Sequence, residues 1–230
     1  MAAEMIPDQP GREIGFEPLL DELLVIFCPG WEMPGIMAGE HQHHRCEVKR
    51  FQLGKTAEAD PTTTRQHADL LIRAAMHDQC RSGIRQLVRP LTDALGYRPV
   101  QTAIIDYMRT GSDAEKVGAT MAWYFAQPGL KYASWDNLRH GISTKKSRAA
   151  QEALADLRDA YRAACLVAFL ACQDPATRHD LALWINRDPA AYPEHLRPGH
   201  QQAWDIITGD PKRYRLVLQC SGSACAPPQQ

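Results

Sequence analysis

Apolar side chains recur at spacings of three and four along most of the chain after residue 66. Ala68, Leu71, Ile72, Ala75 and Met76 share one helical face, as do Ile84, Leu87, Val88, Leu91 and Leu95. Gly96 predicts the end of the second helix. Pro90 predicts a kink in it or a later start, because a mid-helix proline removes a backbone hydrogen bond. Val100, Ala103, Ile104 and Tyr107 form the next stripe, closed by Gly111. Ser112 and Glu115 make a capping box that opens a helix through Val117, Met121, Tyr124 and Phe125. A long connection over 127–147 has a helix-permissive centre at Trp135 to His140, and the longest helix is predicted from Ala149 to Cys172. Asp174-Pro175 and Asp210-Pro211 each set an aspartate at a helix cap and a proline in the first turn. Pro193 to Ile207 reads as a further helix, with Pro198-Gly199 in its middle.

Residues 1–66 lack this rhythm. Pro7, Pro10, Gly11, Gly15 and Pro18 predict an irregular lead, and Asp21 to Phe27 is an apolar run too short to assign to helix or strand. Gly54 to Thr64 is the best linker candidate. The chain therefore divides into an irregular acidic segment (1–66), a helical domain (67–219) and a small, polar, proline-rich tail (220–230) expected to be disordered.

The composition is ordinary for a globular protein, with 44% hydrophobic and 23% charged residues, which excludes a disordered chain. The longest apolar run, Ala163 to Cys172, is ten residues, about half of a membrane span. Charge is nearly balanced overall but uneven along the chain. Residues 1–60 hold 5 basic and 11 acidic side chains, net −6, and residues 61–230 hold 21 and 16, net +5. The acidic interruptions in the N-terminal lead argue against a secretory signal. Seven cysteines, an odd number without CxxC spacing, fit a reducing cytoplasm.

Three stretches place an aspartate at a helix start with a basic residue three or four positions later: Asp113 with Lys116, Asp174 with Arg178, and Asp210 with Arg213. Each follows another amphipathic helix. The pattern resembles the HEAT-like α-helical repeats, whose inter-helix turn carries aspartate and whose second helix carries a basic residue. Tyr161 to Ile185 is the clearest unit, and the resemblance covers roughly residues 82–219. It departs from a regular repeat: the aspartates are 61 and then 36 residues apart, and only Asp174 and Arg178 have the four-residue offset. The resemblance implies an all-α fold, a right-handed α-solenoid of irregular helix pairs.

Two clusters carry candidate chemistry. Glu40-His41-Gln42-His43-His44-Arg45-Cys46-Glu47 gathers zinc-ligand types. Adjacent His43 and His44 diverge, however, and no second element supplies ligands, so a polar surface loop is expected and no metal. A Cys46–His dyad lacks an orienting acid or an oxyanion hole. Arg139, Lys145, Lys146 and Arg148 form a basic stretch beside Trp135 that could hold phosphates; the expected role is a solvated linker. Trp123, Trp184 and Trp204 fall on predicted helices and are expected in the core.

No phosphate loop, nucleophile elbow or metal-protease motif is present, no reaction is legible, and no cofactor is expected. The resemblance implies a non-enzymatic scaffold that binds another protein, cytoplasmic and without a membrane. The alternative on the same fold is a nucleic-acid binder resembling DNA glycosylases of the alkylpurine type, for which Trp135-Asp136 is the one local aromatic–acid pair. The net charge of −1 disfavours it.

Overall fold

The computed structural model describes residues 12–35, 41–78 and 80–220. Among them there are thirteen α-helices and no strand; a single bridge joins Tyr132 and Ser143. The all-α expectation holds. The expected tail lies outside the described residues except for Cys220, which ends the last helix.

The first difference from the sequence reading lies in residues 1–66. The described part of that segment is largely helical: α1 spans Arg12–Phe27, α2 Gln42–Ala59 and α3 Pro61–Gln66, while the lead with Pro7, Pro10 and Gly11 lies outside the described residues. Phe16, Leu19, Leu20, Leu23, Leu24 and Phe27 form a buried face of α1 at spacings of three and four. The buried face of α2 is Cys46, Lys49, Arg50, Leu53, Gly54 and Ala57. Two of those positions are charged, which hides the helix from a hydrophobic pattern. The predicted linker, Gly54 to Thr64, is α2, the Asp60 cap and α3; Asp60 accepts from the Thr62 and Thr63 amides at 3.1 Å each.

The later helices follow the periodicity closely. They are α4 (Ala68–His77), α5 (Arg85–Leu95, stopped by Gly96 at φ +84°), α6 (Tyr97–Thr110) and α7 (Asp113–Phe125). A short α8 (Trp135–Arg139) and α9 (Lys145–Glu152) precede α10 (Ala155–Ala171), α11 (Pro175–Ala182), α12 (Arg197–Gly209) and α13 (Arg215–Cys220). Pro198 falls in the first turn of α12, where its missing N–H costs nothing. The helix predicted from Ala149 to Cys172 is broken at Ala153-Leu154. Leu154 is buried, and guanidinium groups reach carbonyls at the break. Arg98 donates to Ala153 O at 2.6 Å, and Arg158 donates to Gln151 O.

The helices pack in two rows. One row runs α1, α4, α7, α11, each touching the next; the other runs α2, α5, α6, α10, α12. Contacts across the rows join α1 to α2, α4 to α5, α6 to α7, α10 to α11 and α12 to α13. One continuous apolar cluster extends from Phe16 to Val217, so α1 and α2 share the core of the helices that follow. Two glycines set the closest approaches. A Cβ on Gly118 of α7 would lie 2.0 Å from the Met76 carbonyl oxygen at the end of α4. On Gly54 of α2 it would lie 2.7 Å from the Gln86 oxygen of α5. Pro90 supplies no N–H to that Gln86 carbonyl, four residues back, so proline and glycine together let the two backbones meet there.

Candidate functional site

Residues 128–152 leave the rows between α7 and α10. The excursion is stitched at its base: Thr144 N–H donates to Lys131 O at 2.7 Å, Lys131 N–H to Ser147 Oγ at 3.1 Å, and Gln151 Nε2 to Pro128 O at 3.1 Å. Ser134 caps α8 by accepting from the Asn137 amide at 3.1 Å. Thr144 caps α9 by accepting from the Ser147 amide at 3.3 Å. No residue of α8 is buried, and Ser147 alone is buried in α9.

The basic residues read from the sequence all lie here. Arg139 is on α8, Lys145, Lys146 and Arg148 are on α9, and all four are exposed. Arg148 donates to the Ser143 carbonyl at 3.4 Å. Within the predicted connection over 127–147 only residues 135–139 and 145–147 are helical. Trp135 is 80% exposed, and Leu138 and Ile142 are exposed on the same excursion. Asp136, the sequence candidate for a catalytic acid, is exposed, and its carboxylate lies 3.6 Å from His140 Nδ1.

Two of the three aspartates of the repeat-like turns accept a backbone amide from the turn they open; Asp113 does not. Ser112, not Asp113, caps α7, with the full capping box to Glu115. Asp113 is the first helical residue and lies 3.7 Å from Lys116. Asp174 caps α11, accepting from the Thr177 amide at 2.7 Å; that bond and the Thr177 side chain lower its carboxyl below the usual range. Asp210 accepts from the Arg213 amide at 3.1 Å and pairs with its side chain at 3.6 Å. The first two turns are brought together. Cys172 Sγ lies 3.6 Å from Asp113 Oδ2 and 3.4 Å from Asp174 O, while Arg178 donates to Cys172 O.

The histidine cluster is not a loop. His41 is the N-cap of α2, and its Nδ1 is 3.4 Å from the His43 amide. His43 and His44 are exposed, while Cys46 turns into the core. Burial pushes the Cys46 thiol up to about 11, which disfavours the thiolate that a ligand or nucleophile must present. Among the described residues no three His, Cys, Asp or Glu side chains converge on a common point, and no helix is long and apolar enough to cross a membrane.

Two features had no sequence signal. Glu17 of α1 holds Arg45 Nη2 at 2.9 Å and Lys49 Nζ at 2.8 Å, and Lys49 also reaches Asp21 at 2.6 Å. The Arg45 hydrogen bond is the main influence lowering the Glu17 carboxyl. Beside this network an open groove of about 510 Å³ lies between α1, α2 and the segment after α1. Asp21, Leu24, Val25, Cys28, Trp31 and Met33 line it. Of the tryptophans expected in the core, Trp123 is buried and stacks on Tyr161 at 4.0 Å, and Trp184 meets Tyr161 edge-on at 5.6 Å. Trp204 is half-buried and donates to Asn186 O at 3.2 Å.

No known family model, no curated protein and no solved structure matches this chain.

Proposed function

We propose that the chain is a HEAT-like helical-repeat protein, a right-handed α-solenoid over about residues 82–219, that serves as a non-enzymatic scaffold for another protein in the cytoplasm. The observation that carries this reading is the pair of rows: each helix pair touches mainly the pairs before and after it. Stacks built in this way expose long surfaces suited to extended partners. Function does not follow from fold, and the scaffold role rests on that analogy. Unpaired large side chains along the rows add to it, with Phe51 and Val167 exposed on one row and Tyr124 on the other. Five free cysteines among the described residues fit a reducing compartment.

Photo-crosslinking of the full chain from cell extract tests the reading. A photoreactive side chain replaces Phe51, Val167 or Tyr124 in turn. A scaffold that grips a partner along that row gives the same crosslinked protein from Phe51 and Val167 and none from Tyr124. Absence of any common adduct refutes it.

The nucleic-acid reading keeps one specific support, the exposure of Trp135 beside Arg139, Lys145, Lys146 and Arg148. Four cations on one excursion neutralise few phosphates. Duplex DNA then binds only in the non-specific range of roughly 10⁻⁴–10⁻⁶ M and is lost as salt rises. Tight binding at physiological salt that vanishes when the four residues are neutralised would establish this second reading instead.

A further inference from the structure

The molecule carries a knob and a hole that its own chain does not bring together. The knob is Trp135 on α8, 80% exposed, on an excursion that also exposes Leu138, Ile142, Arg139, Lys145 and Lys146. The hole is the groove of about 510 Å³ between α1 and α2, which is roomy enough for an indole. Its apolar wall is Leu24, Val25, Trp31 and Met33. Asp21 stands on its edge, and Glu22 and Glu32 are exposed at the same end of the molecule. Arg45 and Lys49 on the α2 wall are held by Glu17, and Lys49 also by Asp21. Trp135 does not fill this groove in its own chain, because it stands in water.

We propose that the chain assembles head to tail, Trp135 of one copy entering the α1/α2 groove of the next. Charge complementarity argues for a second copy as the occupant. The knob lies in residues 61–230, net +5, and the hole lies in residues 1–60, net −6. Lys145 and Lys146 would face the exposed Glu22 and Glu32, opposite signs that set orientation and on-rate. Trp135 supplies the anchor: tryptophan is enriched among the residues that dominate interfaces. Knob and hole are different surfaces, so the contact is heterologous and generates rings or filaments instead of a two-fold dimer. The proposal stands on these two surfaces and does not depend on the scaffold reading.

Sedimentation velocity of the full chain over a concentration series, at low and high salt, tests it with two variants. Trp135→Ala removes the knob. Val25→Arg blocks the hole at a residue that is 74% exposed. Both positions face water, so both variants should melt like the wild type. Wild type is expected to grow in mass with concentration, less so at high salt. Each variant alone should be monomeric, its self-affinity weakened roughly thirtyfold or more. An equimolar mixture should form a dimer and nothing larger, since one copy offers only a hole and the other only a knob. A wild type that is monomeric throughout overturns the proposal, as do variants that assemble normally or a mixture that stays monomeric. A monomer whose Trp135 is instead required for binding phosphatidylserine vesicles or a DNA duplex overturns it in favour of those occupants.

Discussion

Asp78→Ala should be among the most destabilising single substitutions in this chain. Arg50 Nη1 lies 3.0 Å from Asp78 Oδ1, with side chains only 3% and 1% exposed. The same Oδ1 accepts the Cys80 amide at 2.8 Å and so also shapes the chain leaving α4. Removing the carboxylate leaves a guanidinium in a site closed to water. That loss costs about 3–5 kcal/mol, because desolvation of the remaining charge is no longer offset. For a chain of this size each kcal/mol lowers Tm by about 2–4 °C, so the fall is roughly 6–20 °C. Asp78→Asn keeps an oxygen for the Cys80 amide and should fall between wild type and alanine. Arg50→Met combined with Asp78→Ala removes both charges and should recover most of the loss. The Arg98–Asp156 pair serves as a control. It is shorter, at 2.7 Å, but its side chains are 51% and 62% exposed, so water screens it and breaking it should cost far less. Urea unfolding followed by far-ultraviolet circular dichroism reads all five proteins. An Asp78→Ala cost no larger than that of the exposed pair, or a double variant no better than the single one, refutes the reasoning.

Gly118→Ala drives a methyl group into the Met76 carbonyl oxygen and should cost about 1–3 kcal/mol or more in the same assay; a neutral result would mean that α4 and α7 separate freely. Asp174→Ala removes the α11 cap and should cost about 1 kcal/mol, read as a Tm shift, whereas loss of a specific activity at unchanged Tm would make it a functional acid. The Glu17 carboxyl is lowered in the folded chain, so its contribution is present above its ordinary value of 4.5 and is lost as pH falls through the lower folded value. Glu17→Gln should therefore flatten the acid limb of stability against pH, and an unchanged limb counts against the network. Native alkylation followed by mass spectrometry should find Cys46 and Cys165 modified far more slowly than half-buried Cys80, since burial raises those two thiols to about 11 and about 12.

From residue 67 onward, sequence by itself determined the helices. There the core-facing side chains are apolar, so helical spacing, the Ser112–Glu115 box, the Asp174 cap and the Gly96 stop are all local physics written in neighbouring residues. The same rule made Trp123 a core residue and marked the exposed cations of α8 and α9. It failed for α2, and the reason is visible in Lys49 and Arg50. They occupy core positions whose charges are neutralised by Glu17, Asp21 and Asp78, each at least 28 residues away in the chain. It failed for Gly54, whose role as a contact with the Gln86 carbonyl depends on another helix. It also failed at Ala153-Leu154, where a guanidinium from α6 accepts the break in a long helical pattern. The rows, the α1/α2 groove and the exposure of Trp135 arise from which helix lies against which. Pairings between distant side chains carry no periodic signal along the chain, so only the tertiary structure could decide them.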